Sequence, residues 1–218
     1  MITISVKPFK TIPDLPLLLA GFPGIRGIFF DMDGTLFNTE AYHTEALIKI
    51  GLEQKIRPPY APEKVHELMM GKADYLVYEI VKSWEGFPTH WGAEEFNNEK
   101  NKNLLQILSK TNAAEYFPLD TLSLLKEIKD QKIFVGLVTS SEKVITQKLL
   151  SFAGIENFFD LVLTRDDCPE HKPKPWPYLK AIELSQFLPQ ETLIFEDSNV
   201  GLASATASGA HVIKVEWF

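Results

Sequence analysis

The sequence predicts an α/β fold, in which a doubly wound parallel sheet carries an inserted all-α region. In residues 118–218, short apolar runs alternate with amphipathic segments of about 10–15 residues, which is the pattern of βαβ units. In residues 39–116, every periodic segment has the helical period and none alternates as a strand does. Because an apolar run at 27–30 precedes this second region, the helical segments are inserted directly after the first strand.

The first strand is predicted at Gly27–Phe30, an apolar run bounded by turn residues. Residues 1–25 contain four prolines and are predicted to form an extended lead-in to that strand. Their unbroken apolar runs are far shorter than the roughly 18 residues that a membrane helix needs. No basic stretch is followed there by an unbroken apolar stretch, as it would be in a signal peptide. We therefore expect a cytoplasmic protein with no membrane partner.

The inserted region is predicted to consist of helices separated by proline and glycine breaks. Pro62 stands at a first-turn position, which proline tolerates. The helices are predicted at residues 39–54, 63–70, 73–84 and 93–110. The predicted domains are therefore a sheet-containing core of residues 1–38 and 117–218 and a helical insertion of residues 39–116. Hinges between them are expected near residues 37–40 and 116–120.

The second half of the core continues the alternation of strands and helices. Strands are predicted at residues 132–138, 159–163, 191–195 and 211–215, and helices at residues 120–129, 142–153, 178–187 and 200–208. Gly154 stands where a left-handed residue would end a helix. Pro177 lies near the start of the third of these helices.

Composition limits the classes of function. A formal charge of −7 and the absence of a basic stripe argue against a nucleic-acid partner. An acidic balance is compatible with a site for a divalent cation, although scattered surface acids explain it equally well. Cys168 is the only cysteine, so an internal disulfide is excluded. A monomer is compatible with the sequence.

Polar residues follow the predicted strands where these end. They are Asp31, Asp33, Thr139, Ser140, Ser141, Glu196 and Asp197, with Lys172 on a nearby loop. Ligands of open parallel sheets bind beyond the carboxyl ends of the strands. Close carboxylates repel each other unless a cation lies among them, and Mg²⁺ prefers carboxylates with substrate phosphate. Lysine and hydroxyl groups suit phosphate oxygens, and a carboxylate can be the nucleophile.

Each group also has a simpler interpretation. Asp31 and Asp33 alone are compatible with a turn, because aspartate is common there for local reasons. Thr139–Ser141 are compatible with an N-terminal helix cap, a role that can coexist with phosphate binding at the same amides. Lys172 alone is compatible with a solvated loop lysine.

Together, four segments resemble the motifs of the haloacid dehalogenase superfamily. They are DMDGTL at 31–36, VTSS at 138–141, KPKP at 172–175 and FEDSNVG at 195–201. Their order, strand contexts and spacing all agree with the superfamily. The helical insertion is similar to the cap of the subfamily that contains phosphoglycolate-phosphatase-like and β-phosphoglucomutase-like proteins. The resemblance implies a Rossmann-like core and Mg²⁺-dependent phosphoryl transfer.

The resemblance also implies a role for each motif residue. Asp31 would be the nucleophile, and Asp33 the general acid and then the general base. Thr139, with the backbone of Ser140 and with Ser141, would bind the phosphoryl group. Lys172 would balance the negative charge. The metal ligands would be Asp31, the Asp33 carbonyl, Glu196 and Asp197.

Two positions in the inserted region are candidate substrate contacts. Gly71 and Lys72 stand where the subfamily often has a Gly-Arg or Gly-Lys pair that reaches the substrate; a surface lysine after a helix break is the alternative. His43 is a second candidate contact, against a purely structural role. His171 and Trp176 depart from the family pattern, which usually has glycine and often aspartate at these positions.

The function expected from the resemblance is hydrolysis of a small phosphorylated metabolite, a sugar phosphate or a phosphoglycolate-like compound, through an aspartyl phosphate. A β-phosphoglucomutase-like phosphomutase is the alternative enzyme, because the same two aspartates serve both reactions. A non-catalytic protein that binds a phosphometabolite is the alternative of another class.

Overall fold

The computed structural model describes residues 9–69 and 74–218. The strands are β1 Gly27–Phe30, β2 Phe134–Val138, β3 Leu161–Leu163, β4 Thr192–Glu196 and β5 His211–Lys214. These five parallel strands form one sheet in the order β3-β2-β1-β4-β5. Helices alternate with these strands, so the predicted α/β fold with a parallel sheet is confirmed.

The register of the three central strands brings their carboxyl ends level. Phe30, the last residue of β1, is paired with Leu137 on β2 and with Phe195 on β4. The Asp31 amide continues the ladder by donating to the Phe195 carbonyl at 3.0 Å. Residues that follow these strands are therefore neighbours at one edge of the sheet.

The helices of the sheet-containing part are short and mostly start or stop at identifiable residues. They are α1 Leu15–Gly21, α6 Leu119–Asp130, α7 Lys143–Ala153, α8 Trp176–Ser185 and α9 Asn199–Ala207. Gly154 ends α7 in the left-handed conformation with φ 66°, as predicted. Tyr178 lies in the first turn of α8, because that helix begins at Trp176, two residues before the predicted start.

Helix α1 corrects the expectation of an extended lead-in over residues 1–25. The Asp14 side chain accepts a hydrogen bond from the Leu17 amide at 3.0 Å, and Pro16 occupies the first turn. A proline there costs no backbone hydrogen bond, so it starts the helix instead of preventing it. Leu15 and Leu18 are buried, and α1 packs on α6.

The remaining helices form an apolar core of their own. They are α2 Glu40–Gln54, α3 Pro62–Met69, α4 Asp74–Val81 and α5 Ala93–Leu108. Their core contains Leu47, Ile50, Val65, Val77 and Phe96, all buried. Within the described part of this region, the only pairing of extended backbone is the isolated bridge between Arg57 and Glu85.

The chain divides into two compact units. The sheet unit comprises the described residues through Asn38 together with Ala114–Phe218, and the helical unit comprises the described residues of Thr39–Ala113. Over residues 9–69 and 74–218, none of the helices has both the length and the apolar character needed to cross a membrane.

Candidate active site

Two buried acids and a buried lysine meet at the carboxyl edge of the sheet. Asp31 follows β1, Glu196 is the last residue of β4, and Lys172 lies on the loop before α8. The Lys172 ammonium donates to Asp31 Oδ1 and to Glu196 Oε1, each at 2.6 Å. It also donates to the carbonyl oxygen of Val138 at 2.9 Å. The three donors of the ammonium thus join the ends of three neighbouring strands.

The charge of Lys172 is maintained by its acidic neighbours. Burial opposes a charged ammonium, but the carboxylates of Asp31 and Glu196 outweigh it and raise the pKa of Lys172. The side chain is 4% exposed, so bulk water screens these ion pairs little. Lys172 is consequently a fixed cation at the site.

Asp31, Glu196 and Asp197 form an acidic cluster. One carboxylate oxygen from each residue lies within 4.8 Å of the other two. Burial raises the pKa of Asp31 well above its ordinary value, Lys172 opposes this, and the charges of Glu196 and Asp197 add to it. The cluster therefore favours either a proton or a further cation. Three carboxylates are the hard oxygen ligands that Mg²⁺ prefers, so the residues present fit that ion.

Glu196 is held on two sides by its own unit. The Tyr178 hydroxyl donates to Glu196 Oε1 at 2.7 Å, the same oxygen that accepts from Lys172. A Cβ added to Gly201, in the first turn of α9, would overlap both carboxylate oxygens. The absence of a side chain at Gly201 is therefore what admits the carboxylate. Sequence analysis missed Tyr178, although it lies in the same loop-helix segment as Lys172.

Asp197 is oriented by the turn that follows β1. The Thr35 hydroxyl donates to Asp197 Oδ1 at 3.1 Å. Gly34 has φ 82°, and a Cβ there would overlap Asp197 Oδ2, so this turn requires glycine twice over. The indole N–H of Trp217 donates to the Thr35 carbonyl at 2.8 Å, which ties the turn to the C-terminal residues. Trp217 lies in no recognisable sequence motif, and its contact with this turn was not predicted.

Asp33 lies in contact with the predicted phosphate-binding loop. The Ser141 hydroxyl donates to Asp33 Oδ2 at 2.7 Å, and the Ser141 amide donates to Thr139 Oγ1 at 3.0 Å. Thr139 is buried, whereas Ser140 is exposed. The end of β2 is thereby joined to the turn after β1, and Ser141 contacts an acid of that turn.

Other predicted residues lie elsewhere. Gly71 and Lys72 are outside the described residues, and His43 lies on α2 in the helical unit. His171 is exposed, but partial desolvation of its ring and the charge of Arg165 lower its pKa. Trp176 begins α8, and Lys174 is exposed while its carbonyl accepts from Ser204 at 2.6 Å. These departures from the motif leave Lys172 in its network.

A family model for haloacid dehalogenase-like hydrolases matches residues 28–215, which is most of the chain. The chain belongs to this family. The predicted resemblance is thereby confirmed, as is the prediction that the protein is an enzyme of this hydrolase class. Pyrophosphatase PpaX of Bacillus cereus is 26% identical over 202 residues, covering 88% of this chain and 84% of that protein.

Solved structures share the fold of this hydrolase. CbbY from Rhodobacter sphaeroides in complex with phosphate has a TM-score of 0.76 at 22% identity, covering 86% of this chain and 84% of that one. β-Phosphoglucomutase from Clostridium difficile has a TM-score of 0.72 at 22% identity, covering 88% and 85%. At these identities the similarity concerns the fold, which is the predicted Rossmann-like α/β architecture.

Proposed function

We propose that this hydrolase is a Mg²⁺-dependent phosphatase that acts on a small phosphorylated metabolite through an aspartyl phosphate. The observation that carries the proposal is the buried contact of Lys172 with Asp31 and Glu196 beside a third carboxylate, Asp197. In a family of hydrolases, a buried carboxylate with a fixed cation at the edge of a parallel sheet is suited to nucleophilic phosphoryl transfer.

In the proposed reaction, an oxygen of Asp31 attacks phosphorus while the bond from phosphorus to the leaving oxygen breaks. Asp33 gives its proton to that leaving oxygen. A water then attacks the phosphorus of the aspartyl phosphate, Asp33 takes the proton of the water, and Asp31 is regenerated with release of phosphate. The Ser141 hydroxyl, 2.7 Å from Asp33 Oδ2, orients that acid and base.

Lys172 and Thr139 have supporting roles in this proposal. Lys172 keeps the Asp31 carboxylate oriented and compensates its charge, since all three of its donors are engaged by the protein. Thr139 and the backbone amide of Ser140 bind the transferring phosphoryl group at the end of β2. The bound phosphate would thus lie beside the two aspartates.

Asp31, Glu196 and Asp197, with the Asp33 carbonyl, would hold Mg²⁺. When bound, the ion supplies positive charge that neutralises phosphate oxygens and favours the ionised form of Asp31. We propose further that residues 1–38 and 117–218 carry the chemistry and that residues 39–116 supply substrate selectivity.

Asp31→Asn tests the nucleophile. Turnover of an aryl phosphate with Mg²⁺ should fall by more than about 10³-fold, as expected when an attacking group is removed. Asp14→Asn is the matched control, because asparagine caps a helix as well as aspartate does and the Asp14 side chain accepts from the Leu17 amide of α1. Acid-quenched wild-type enzyme should retain an alkali-labile phosphate that is absent from Asp31→Asn. Retained turnover in Asp31→Asn would contradict the assignment.

Inorganic pyrophosphate is a second candidate substrate, because the curated relatives at this level of similarity include pyrophosphatase PpaX. A panel of sugar phosphates, phosphoglycolate and pyrophosphate, assayed for released phosphate with Mg²⁺ and with chelator, separates the candidates. Conversion of a sugar phosphate to its isomer without phosphate release would replace the phosphatase by a phosphomutase. Binding without any turnover across the panel would support the non-catalytic alternative.

A further inference from the structure

Tyr178 is a buried polar residue that the proposed reaction does not use. It is fully buried in the first turn of α8, and its hydroxyl donates to Glu196 Oε1 at 2.7 Å. Its ring also faces the Lys172 ammonium, which lies 4.8 Å from the ring centroid. One side chain therefore contacts both members of the buried Lys172–Glu196 ion pair.

The two carboxylate oxygens of Glu196 differ in their hydrogen bonds. Oε1 accepts from Lys172 at 2.6 Å and from Tyr178 at 2.7 Å, which occupies both lone-pair positions of that oxygen. Oε2 accepts, among the described residues, one long bond of 3.4 Å from the Ser198 hydroxyl. Gly201 packs closely against the carboxylate, and a Cβ there would overlap both of its oxygens. The carboxylate is thus held with Oε2 as the oxygen open to a further ligand.

We propose that Tyr178 is a positioning residue for the metal site: its hydroxyl, with Lys172, holds Glu196 Oε1 so that Oε2 is presented to Mg²⁺. The inference rests on the proposed function, in which Glu196 is a metal ligand. Residues that hydrogen-bond to ligating carboxylates orient those ligands, and their loss typically weakens metal binding by about 10–100-fold. Tyr178 itself does not touch the ion or the substrate.

Tyr178→Phe is the discriminating variant. It keeps the ring against Lys172 and removes only the hydroxyl. Mg²⁺ binding, titrated calorimetrically without substrate, should weaken by about 10-fold. Tyr78→Phe is the matched control, because Tyr78 lies in the helical unit and its hydroxyl donates to the Trp91 carbonyl at 3.5 Å. Its Mg²⁺ affinity should equal that of the wild type.

A double variant tests whether Tyr178 acts through Glu196. Glu196→Gln should weaken Mg²⁺ binding, and adding Tyr178→Phe to it should cause little further loss, because the carboxylate to be oriented is already gone. Additive losses in the double variant would contradict the inference.

The outcomes separate this inference from the function on which it rests. A wild-type enzyme that binds no Mg²⁺ would overturn the metal assignment and, with it, the role of Tyr178. Wild-type binding with unchanged affinity in Tyr178→Phe would overturn the role of Tyr178 alone, and a lowered melting temperature in that case would assign the hydroxyl to stability. Weaker Mg²⁺ binding in Tyr178→Phe, with the Mg²⁺ affinity of Tyr78→Phe unchanged, would support the positioning role of Tyr178.

Discussion

The two compact units bury charge in different ways. In the sheet unit, the buried Lys172 contacts two carboxylates and a carbonyl that come from the ends of three adjacent strands. In the helical unit, the buried Lys100 forms an ion pair with Asp74, whose side chain is partly exposed. The first arrangement is a network built by the topology of the sheet, and the second is a pair between two helices.

The acidic cluster also differs from other buried polar groups of both units in how completely it is hydrogen-bonded. Two buried side-chain atoms, Asn97 Oδ1 on α5 of the helical unit and Thr121 Oγ1 on α6 of the sheet unit, have no hydrogen-bond partner among the described residues. The acids of the sheet-unit cluster instead receive hydrogen bonds from Lys172, Tyr178 and Thr35. A densely paired polar cluster holds its members in one geometry, which is what a catalytic site requires.

Replacing each of the two buried lysines by methionine should produce the largest difference between the units in stability and turnover. Lys172→Met leaves Asp31 and Glu196 without their buried partner, and we expect a loss of about 3–5 kcal/mol in the free energy of unfolding. Turnover should fall together with stability. Asp31→Asn, which removes a carboxylate disfavoured by burial, should not lower the melting temperature of the metal-free protein.

Lys100→Met is the matched variant in the helical unit. It should cost less, about 1–3 kcal/mol, and leave turnover of an aryl phosphate near the wild-type value. Chemical denaturation and steady-state assays measure both quantities. Equal losses of turnover in Lys172→Met and Lys100→Met would remove the distinction between the two units.

Two glycine-to-alanine substitutions should have opposite effects on the free energy of unfolding. Gly201→Ala places a Cβ against the carboxylate oxygens of Glu196, and such overpacking costs about 1–3 kcal/mol despite the better helix propensity of alanine. Gly51→Ala, in the last turn of α2, meets only the Ile56 carbonyl at 3.4 Å and should stabilise by about 0.5–1 kcal/mol. Thermal unfolding measures both.

Gly201→Ala should also weaken Mg²⁺ binding, because Glu196 must move to admit the new methyl group. The affinity of Gly51→Ala should be that of the wild type. Stabilisation by both alanines would show that the carboxylate of Glu196 is not confined as described.

The pH dependence of turnover should be set by a residue of the sheet unit, Asp31. The pKa of Asp31 is raised by burial, and in the proposed reaction its carboxylate is the attacking form, so turnover should fall as the pH falls through that raised pKa. A bound cation favours the carboxylate, so higher Mg²⁺ concentrations should move this acid limb to lower pH, by about one pH unit for a tenfold excess over the dissociation constant.

Asp74→Asn is the control for that measurement, since Asp74 lies in the helical unit. Its acid limb should coincide with that of the wild type at each Mg²⁺ concentration. An acid limb that does not respond to Mg²⁺ would separate the ionisation of Asp31 from metal binding.

The smallest effect is expected at the C-terminal residues of the sheet unit. Trp217→Phe removes the indole donor to the Thr35 carbonyl while retaining an aromatic ring near Phe195, whose centroid is 5.8 Å away. A loss of about 0.5–1.5 kcal/mol is expected from one hydrogen bond. Because Thr35 contacts Asp197, Mg²⁺ binding should weaken slightly as well.

Trp91→Phe provides the comparison in the helical unit. Trp91 packs edge-on against Phe87 there, so its replacement should change the melting temperature but not the Mg²⁺ affinity. If Trp217→Phe leaves Mg²⁺ affinity unchanged, the contact with Thr35 serves stability alone.

The strands were predictable from the sequence because they follow local rules. β1 was predicted at its observed bounds, and Gly154 was recognised because only a residue that tolerates positive φ ends a helix in that way. Helix α1 was not recognised, because prolines that interrupt an apolar run look the same whether they break a helix or begin one.

The sequence by itself determined the order of the strands and of the α-helices that follow β1, and the polar residues at the carboxyl ends of β1, β2 and β4. Those follow from apolar periodicity and from motifs a few residues long. Only the tertiary structure decided that Lys172 engages all three of its donors, that Tyr178 shares Glu196 Oε1 with it, and that Trp217 reaches Thr35. Each of these contacts joins residues far apart in the chain, and side-chain direction and register, which no local pattern encodes, bring them within hydrogen-bond distance.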